Sequence, residues 1–298
     1  MSSQERLSPK KELLANFEQR SRDNFIFRLF WMYSQLYGSK RALESLPETG
    51  SLREYCQAIL DGFNLEISSV VPEWLQSENG QGVLIYGPHT YALEPFVLAR
   101  LLGQREVYFV AISHSLFMLP TEFANLVLPV TPSHLAKDAK RKPGLAGIHQ
   151  RLSRSMFAKN DLRTAVEMKQ DNLAVPQKAA ELLNAGKIVV IFPAASDNIY
   201  TSNWNNGIGQ IIANLDAETS NVLLQPFDIT QITLKQAMHN MRDRFVKQQK
   251  KPPTTIDVTW GTAVPLAAIN PTILQNSTPP KIAQLFSRLY QNQFPKPQ

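Results

Sequence analysis

The chain has 298 residues, of which 43% are hydrophobic, a share that excludes a disordered or fibrous protein. Its only cysteine, Cys56, excludes a disulfide scaffold and a cysteine-rich metal site. The net charge of +6 is carried by residues 137–169, which hold nine Lys and Arg against three acidic residues. At the start of the chain, residues 1–6 lack the basic-then-apolar order of a secretory signal. We therefore expect a cytoplasmic protein, either soluble or peripheral on a membrane.

The first 78 residues show only helical patterns. Ser8 before Pro9 predicts the N-cap of a helix that runs towards Tyr37. The capping-box pattern at residues 51–54 predicts a second helix that ends near Gly62. Residues 1–78 are therefore predicted to form a small helical N-terminal domain.

Residues 25–37 are rich in aromatic side chains and contain one charge, Arg28. Two interpretations are open for this stretch. Aromatic side chains at helical spacing usually pack in a core, and this interpretation is favoured. The alternative is an interfacial helix that inserts into the surface of a bilayer, which would give the protein a peripheral membrane contact.

The pattern changes after residue 79, where short apolar runs alternate with helical segments. Strands are predicted at 83–86, 107–112, 188–192, 222–224 and 256–260. Helices are predicted near 95–102, 145–157, 176–185, 207–215 and 232–248, with Pro176 at a helix start. This alternation predicts an α/β domain over 79–290, with a mostly parallel mixed sheet flanked by helices. Residues 291–298, which include two prolines, are predicted to be a loose tail.

The basic segment 137–169 predicts an anionic partner. Candidates are a phosphate-bearing small molecule, an acidic carrier protein, an anionic lipid and a nucleic acid. A solvated basic helix face is the alternative. A nucleic acid is not expected, because the segment has little aromatic interleaving and no zinc-finger spacing.

His89 is the most informative single residue, because it directly follows the first predicted strand of the sheet. Ligands of open α/β sheets collect beyond the carboxyl ends of the strands. An imidazole can take a proton from a hydroxyl, and a carboxylate on its other nitrogen would orient it. Glu94 stands five residues further on, before Pro95. The alternative is a loop histidine and a glutamate that favours a helix start through the macrodipole.

A second candidate segment follows the strand at 188–192. Phe192 and Pro193 lead into two alanines and Ser196, and small residues there would let a ligand approach the backbone closely. Ser196 supplies a hydroxyl, and backbone amides could bind an anion. An ordinary strand exit is the alternative interpretation.

Together these motifs resemble those of the glycerolipid acyltransferases, the glycerol-3-phosphate and lysophosphatidate acyltransferase superfamily. His89 and Glu94 resemble its His-x4-Asp signature, and residues 188–196 lie where that family has Phe-Pro-Glu-Gly-Thr. Residues 206–207, 222–227 and 258–265 resemble its later helix and strands, in the same order. The chain is most similar to the soluble plastid-type glycerol-3-phosphate acyltransferases, which implies the plastid stroma if the source is a eukaryote.

The resemblance implies an O-acyltransferase of phospholipid synthesis. His89 would be the general base and Glu94 its orienting acid, while Phe192, Pro193 and Ser196 would line the substrate site. The acyl donor would be acyl-CoA or an acyl carrier protein, and the acceptor a glycerol phosphate or lysophospholipid. By the same resemblance, His134, Lys140 and Arg141 would hold the acceptor phosphate. The reaction implies no metal and no cofactor besides the thioester co-substrate.

Two other functions are considered. Glu94 replaces the aspartate of the family, and Ala194 and Ala195 replace its acid and glycine. These departures favour a non-catalytic, acyltransferase-like protein that binds acyl chains, a carrier protein or lipid. A hydrolase that uses Ser196 is the less favoured alternative, because the Gly-x-Ser-x-Gly elbow is absent from this segment.

Overall fold

The computed structural model describes most of the chain. The described residues are 8–48, 50–77, 80–89, 93–103, 105–113, 119–132, 135–140, 143–157, 161–195, 199–201, 204–216, 220–229, 232 and 234–295. Within these ranges the helices are α1 (Pro9–Asp23), α2 (Phe25–Gln35), α3 (Ser39–Glu44), α4 (Leu52–Gly62), α5 (Glu73–Gln76), α6 (Glu94–Leu102), α7 (Thr121–Ala124), α8 (Gly144–Phe157), α9 (Ala165–Asn184), α10 (Gly207–Ala213), α11 (Leu234–Phe245), α12 (Pro271–Gln275) and α13 (Pro279–Gln293). The strands are β1 (Leu65–Ser68), β2 (Gly82–His89), β3 (Val107–Ile112), β4 (Val127–Val130), β5 (Ile188–Ala195), β6 (Val222–Ile229), β7 (Thr254–Trp260) and β8 (Val264–Pro265).

The strands form one eight-stranded mixed sheet in the order β1-β7-β6-β2-β5-β3-β4, with β8 paired to β6. Strands β6, β2, β5, β3 and β4 are mutually parallel, whereas β7 and β8 pair with β6 in the antiparallel sense. The prediction of an α/β fold with a mostly parallel sheet and preceding helices is confirmed. A parallel sheet places the carboxyl ends of its strands at one edge, which is where a ligand site is expected.

Two apolar cores lie on the two faces of the sheet. One contains Leu84 and Val189 with α9, α10 and α13, and the other contains Ile85 and Val190 with α4 and α6. Alternate residues of the same strands contribute to both cores, because successive side chains point to opposite faces. This burial on both faces explains the continuous apolar runs that predicted the strands.

The prediction that only helices precede residue 79 is wrong. Residues 65–68 form β1, which pairs in parallel with β7, and Leu65 is buried in the core shared with α4 and α6. The strand has only four residues and its partner lies 189 positions further along the chain, so the local pattern carries little signal. The helix predicted from Pro9 towards Tyr37 is divided at Asn24, whose side chain caps α2 by accepting a hydrogen bond from the Phe27 amide.

Two predictions in the second half of the chain are also corrected. Pro176 lies inside α9 rather than at its start, because the capping box of Thr164 with Glu167 begins the helix earlier. The loose tail does not begin at residue 291, since α13 continues to Gln293. The ring of Phe294 then packs on Tyr290 at 5.0 Å between centroids, which holds this end against the sheet.

The aromatic helix α2 is buried on one side only. Phe27 and Trp31 contact Phe17 of α1, at 5.9 and 4.8 Å between ring centroids. The core interpretation is confirmed for this face, whereas Phe25 and Leu36, on the opposite face, are each 64% exposed. None of the helices in the described part of the chain combines the length and hydropathy that crossing a bilayer requires.

Candidate active site

His89 lies at the carboxyl end of β2, beside the end of β5. In the register of these parallel strands His89 is the partner of Ala195, so the two predicted site segments meet at one edge of the sheet. The register shifts between Tyr86 and Pro88, so the pairing of β2 with β5 is irregular just before the histidine.

Gly87 lies at this irregularity, where β6 approaches β2 closely. A Cβ at this position would lie 2.5 Å from both the ring and the carbonyl oxygen of Phe227 in β6. Only a residue without a side chain therefore lets β2 approach β6 so closely at the entrance to the site. The sequence analysis did not single out Gly87, although a glycine inside an apolar strand is a recognised signal for such an approach.

Glu94 is the first residue of α6 and faces His89. The Nδ1 atom of His89 lies 3.3 Å from Oε2 of Glu94, and the side chains are 35% and 3% exposed. Nδ1 is buried and its direction to the carboxylate falls short of a well-aligned hydrogen bond. Contacts of this kind in catalytic sites are often long or poorly aligned until substrate binds. The predicted pair of residues is therefore together in space.

The position of Glu94 favours a negative charge beside His89. A carboxylate at the first turn of a helix is stabilised by the positive end of the macrodipole, so Glu94 is placed where its negative charge is favoured. With Nδ1 3.3 Å from this carboxylate, an external group would bind the second ring nitrogen, Nε2. An imidazole held in this way can accept a proton at Nε2 and keep the resulting charge next to Glu94.

Aromatic rings form one wall beside the histidine. The ring of Phe192 lies 4.9 Å from the His89 ring between centroids, tilted by 35°. Phe227 packs edge-on against Phe192 at 6.4 Å, and Trp260 follows Phe227 at 6.2 Å. Of the residues predicted to line the site, Phe192 contacts His89. Pro193 is buried and its carbonyl accepts a hydrogen bond from the Asn205 amide, so it supports the strand end.

The remaining predicted residues are placed only in part. Ser196, His134 and Arg141 lie outside the described residues. Lys140 is exposed, and its carbonyl accepts a hydrogen bond of 3.2 Å from Nε2 of Gln150 in α8. The structure does not bring Lys140 into contact with His89 or Glu94.

The basic segment is attached to the same edge of the sheet as His89. Arg163 donates through Nη2 to Oγ1 of Thr131, the residue that follows β4, at 3.3 Å. Thr131 in turn shares a hydrogen bond of 2.9 Å with Ser113, which follows β3. Hydrogen bonding to Asp161 and Asp171 raises the pKa of Arg163, so this arginine is a structural anchor rather than a free cation. Its role was not predicted, because Thr131 lies 32 residues away and is brought to Arg163 by the fold.

A cavity of about 540 Å³ lies elsewhere, between α4, β1, α6 and α11. None of His89, Glu94, Phe192 and Pro193 lines it. Burial lowers the pKa of Arg100 in its wall, and this side chain donates to Gln57, while Arg244 donates to the Asp61 carbonyl at 2.6 Å. These polar residues of the cavity wall are thus bonded to one another. The cavity also contains none of the predicted site residues that the structure describes, so we place the candidate site at His89.

Two comparisons of the sequence with known proteins identify no relative of this chain. Neither a scan against models of known protein families nor a search of curated proteins gives a significant match. The resemblance to glycerolipid acyltransferases therefore stays a prediction that depends on the motifs quoted above.

Proposed function

We propose that the protein is an O-acyltransferase that moves a fatty acyl group from a thioester to the hydroxyl of a glycerol-phosphate-type acceptor in phospholipid synthesis. The observation that carries the proposal is the contact of His89 with the buried carboxylate of Glu94 at the carboxyl edge of the parallel sheet. This pair has the components of a general base and its orienting acid. The resemblance of the motifs supplies the class of substrate.

In the proposed reaction His89 removes the proton from the acceptor hydroxyl through Nε2. The hydroxyl oxygen attacks the thioester carbonyl carbon, and the carbon–sulfur bond then breaks. The thiolate leaves and takes the proton from the imidazolium, so that an ester and a free thiol are formed. Glu94 keeps the ring oriented and stabilises its positive charge between the two proton transfers. No covalent acyl-enzyme is required, since the alcohol attacks directly.

The basic segment supports the choice of a phosphate-bearing acceptor. It is attached through Arg163 and Thr131 to the end of β4, at the side of the sheet where β2 also ends with His89. Strands β2 and β4 are separated by two others, so their ends are about 14 Å apart at the usual strand spacing of about 4.8 Å. Cations at the end of flexible side chains can reach across part of such a distance and bind a phosphate. The donor is acyl-CoA or an acyl carrier protein in this proposal.

The decisive experiment measures acyl transfer directly. The protein is incubated with glycerol-3-phosphate or lysophosphatidate and with labelled acyl-CoA or acyl carrier protein, and the ester is detected by mass spectrometry. We expect His89→Ala to lower the rate by about 10²–10⁴-fold, the usual contribution of a general base. His239→Ala is the matched control, because His239 is an exposed histidine on α11, where it bonds to the Lys235 carbonyl of its own helix and its ring lies against Tyr37.

A folded protein that forms no ester with any of these pairs would contradict the proposed activity. The alternative is then a non-catalytic protein that binds acyl chains, a carrier protein or lipid, which the replacement of family residues by Ala194 and Ala195 favours. Binding of acyl-CoA or acyl carrier protein without turnover, measured by calorimetry, would support that alternative.

A further inference from the structure

Helix α2 presents an apolar stripe to the outside of the protein. Phe25, Leu29, Met32 and Leu36 are each between 48% and 64% exposed. Their spacing of four, three and four residues places them on one face of the helix. Tyr33, beside the stripe, is also exposed. A surface helix of a soluble protein usually presents polar residues on this side, so the stripe requires an explanation.

The exposed stripe is not the side of α2 that faces the protein core. The opposite face of α2 is already buried through Phe27, Trp31 and Ser34. The helix is therefore apolar on both sides, and only one side has a partner within the described chain. Arg28 is the only charged residue of the helix and is exposed.

Helix α8 adjoins the N-terminal end of α2. The Asn24 side chain that caps α2 also donates to the carbonyl of Ser155 in α8, so the two helices adjoin. Leu152, one turn earlier in α8, is an exposed apolar residue, and Arg151 beside it is exposed as well. The sequence of α8 contains two arginines and no acidic residue.

The start of α9 is linked to α8 through Lys137. Nη1 of Arg154 donates to the Lys137 carbonyl, and the Lys137 amide donates to the Arg163 carbonyl just before α9. Leu162 and Val166 are exposed in this region, at 73% and 64%. We call the following exposed apolar and basic residues, which lie on or next to α2, α8 and the start of α9, the apolar–basic surface: Phe25, Arg28, Leu29, Met32, Leu36, Lys137, Arg151, Leu152, Leu162, Val166 and Lys169.

The acidic residues of this region are already engaged within the protein. Asp161 and Asp171 pair with Arg163, and the carboxylate of Asp138 accepts a hydrogen bond from the Ala165 amide at 2.7 Å. Glu167 closes the capping box of α9. Among the described residues, by contrast, no acidic side chain forms an ion pair with Arg28, Lys137, Arg151 or Lys169. Arg28 and Arg151 donate to backbone carbonyls, and the charge of Lys137 acts on Glu167 without a close ion pair. The backbone contacts leave the charges of the two arginines unneutralised, so these can still attract an external anion.

We propose that the apolar–basic surface binds the face of an anionic lipid bilayer. The exposed apolar side chains enter the boundary between headgroups and acyl chains, and the lysines and arginines contact lipid phosphates. This combination of an apolar stripe with flanking cations is the property that holds interfacial helices at membranes. The proposal does not depend on acyl transfer, although the attachment of this surface to the edge of the sheet that carries His89 would bring a lipid substrate to the candidate site.

Flotation with lipid vesicles tests the proposal on the full chain. We expect the protein to float with vesicles of phosphatidylcholine and phosphatidylglycerol, and far less with phosphatidylcholine alone. Leu29→Glu combined with Leu36→Glu should lower binding by at least about tenfold, because two apolar contacts are lost and two negative charges are added. The matched control is Val70→Glu, since Val70 is a 90% exposed apolar residue outside the surface.

The contribution of charge is tested separately. Arg151→Gln should weaken binding to the anionic vesicles about fivefold, the usual effect of one basic residue near such a membrane. Lys281→Gln, which removes an exposed positive charge from α13, should leave binding unchanged. Circular dichroism and thermal unfolding of each variant establish that it is folded.

Three results would overturn the proposal. The first is a folded wild-type protein that floats with neither vesicle. The second is equal loss of binding in the Val70→Glu control. The third is a wild-type dimer, seen by light scattering, that does not float and that the double variant on α2 converts to a monomer. A second copy of the chain would then cover the stripe instead of lipid.

Discussion

The Nδ1 atom of His89 lies 3.3 Å from Oε2 of Glu94, although the two residues belong to different elements. Strand β2 ends at His89 and helix α6 begins at Glu94, so two separate elements of the fold supply the pair. The length of the glutamate side chain is part of the arrangement. A carboxylate that is one carbon–carbon bond shorter, about 1.5 Å, would not reach the imidazole from the same helix start.

This relationship gives a prediction about the acid. Glu94→Gln should lower the rate of acyl transfer at least about a hundredfold, because the neutral amide no longer stabilises the imidazolium. Glu94→Asp should lower it by about ten- to a hundredfold through misplacement, although aspartate is the residue that the resembled family uses. Steady-state rates of folded variants check both values. A Glu94→Asp variant as fast as the wild type would show that the shorter carboxylate still reaches the imidazole.

Gly87→Ala should damage both stability and the site. The added Cβ would lie 2.5 Å from the backbone oxygen of Phe227, so β2 and β6 would have to separate. We expect a loss of about 1–3 kcal/mol in the free energy of unfolding, measured with urea. Gly62→Ala is the control, because its Cβ would meet only Ala42 and Phe245, at 3.7 and 3.9 Å. Equal stability of the two variants would contradict the close approach at Gly87.

Removal of residues 1–78 should prevent folding of the remainder. The deletion takes β1 from the edge of β7 and exposes the side of α6 on which Cys56 and Leu60 of α4 pack. An unpaired strand edge beside an exposed apolar core favours aggregation. Light scattering and circular dichroism of the truncated chain check the prediction. A monomeric, cooperatively unfolding fragment would instead support the independent domain that begins at residue 79.

Asp243 should make stability depend on pH in the acid range. Hydrogen bonds from Lys247 and Lys251 lower the pKa of its carboxyl to about 2 in the folded protein, against about 3.9 in an unfolded chain. The stabilisation is therefore complete above about pH 4 and is lost as the pH falls towards 2. Asp243→Asn should reduce the free energy of unfolding at pH 7 and have a smaller effect at pH 3.

The control for this pH dependence removes the partners instead. Lys247→Gln combined with Lys251→Gln should reproduce the loss at pH 7 and the smaller effect at pH 3, because the same two contacts are absent. Urea unfolding at both pH values measures the difference. An Asp243→Asn effect that is the same at the two pH values would show that the carboxyl does not titrate in this range.

The elements that the sequence predicted are those whose signal is local. The run at 107–112 is β3 with the same bounds, and the capping box at Ser51 begins α4. Strand β1 was not predicted, because its four residues form a strand only by pairing with β7. The pair of His89 and Glu94 was predicted as residue types at a short spacing. Their distance of 3.3 Å was not predicted, and neither was the close approach of Phe227 in a distant strand that requires a glycine at position 87.

Local order in the chain thus determined the α/β class, the parallel sheet and the residues placed at the carboxyl ends of its strands. Tertiary packing decided which of two apolar faces of α2 is covered, since both are alike in sequence and only contact with α1 distinguishes them. It also brought Arg163 of the basic segment within hydrogen-bond distance of Thr131, at the end of β4. The reason is common to both cases: periodicity and capping act over a few residues, whereas burial and pairing depend on elements that are remote in the chain.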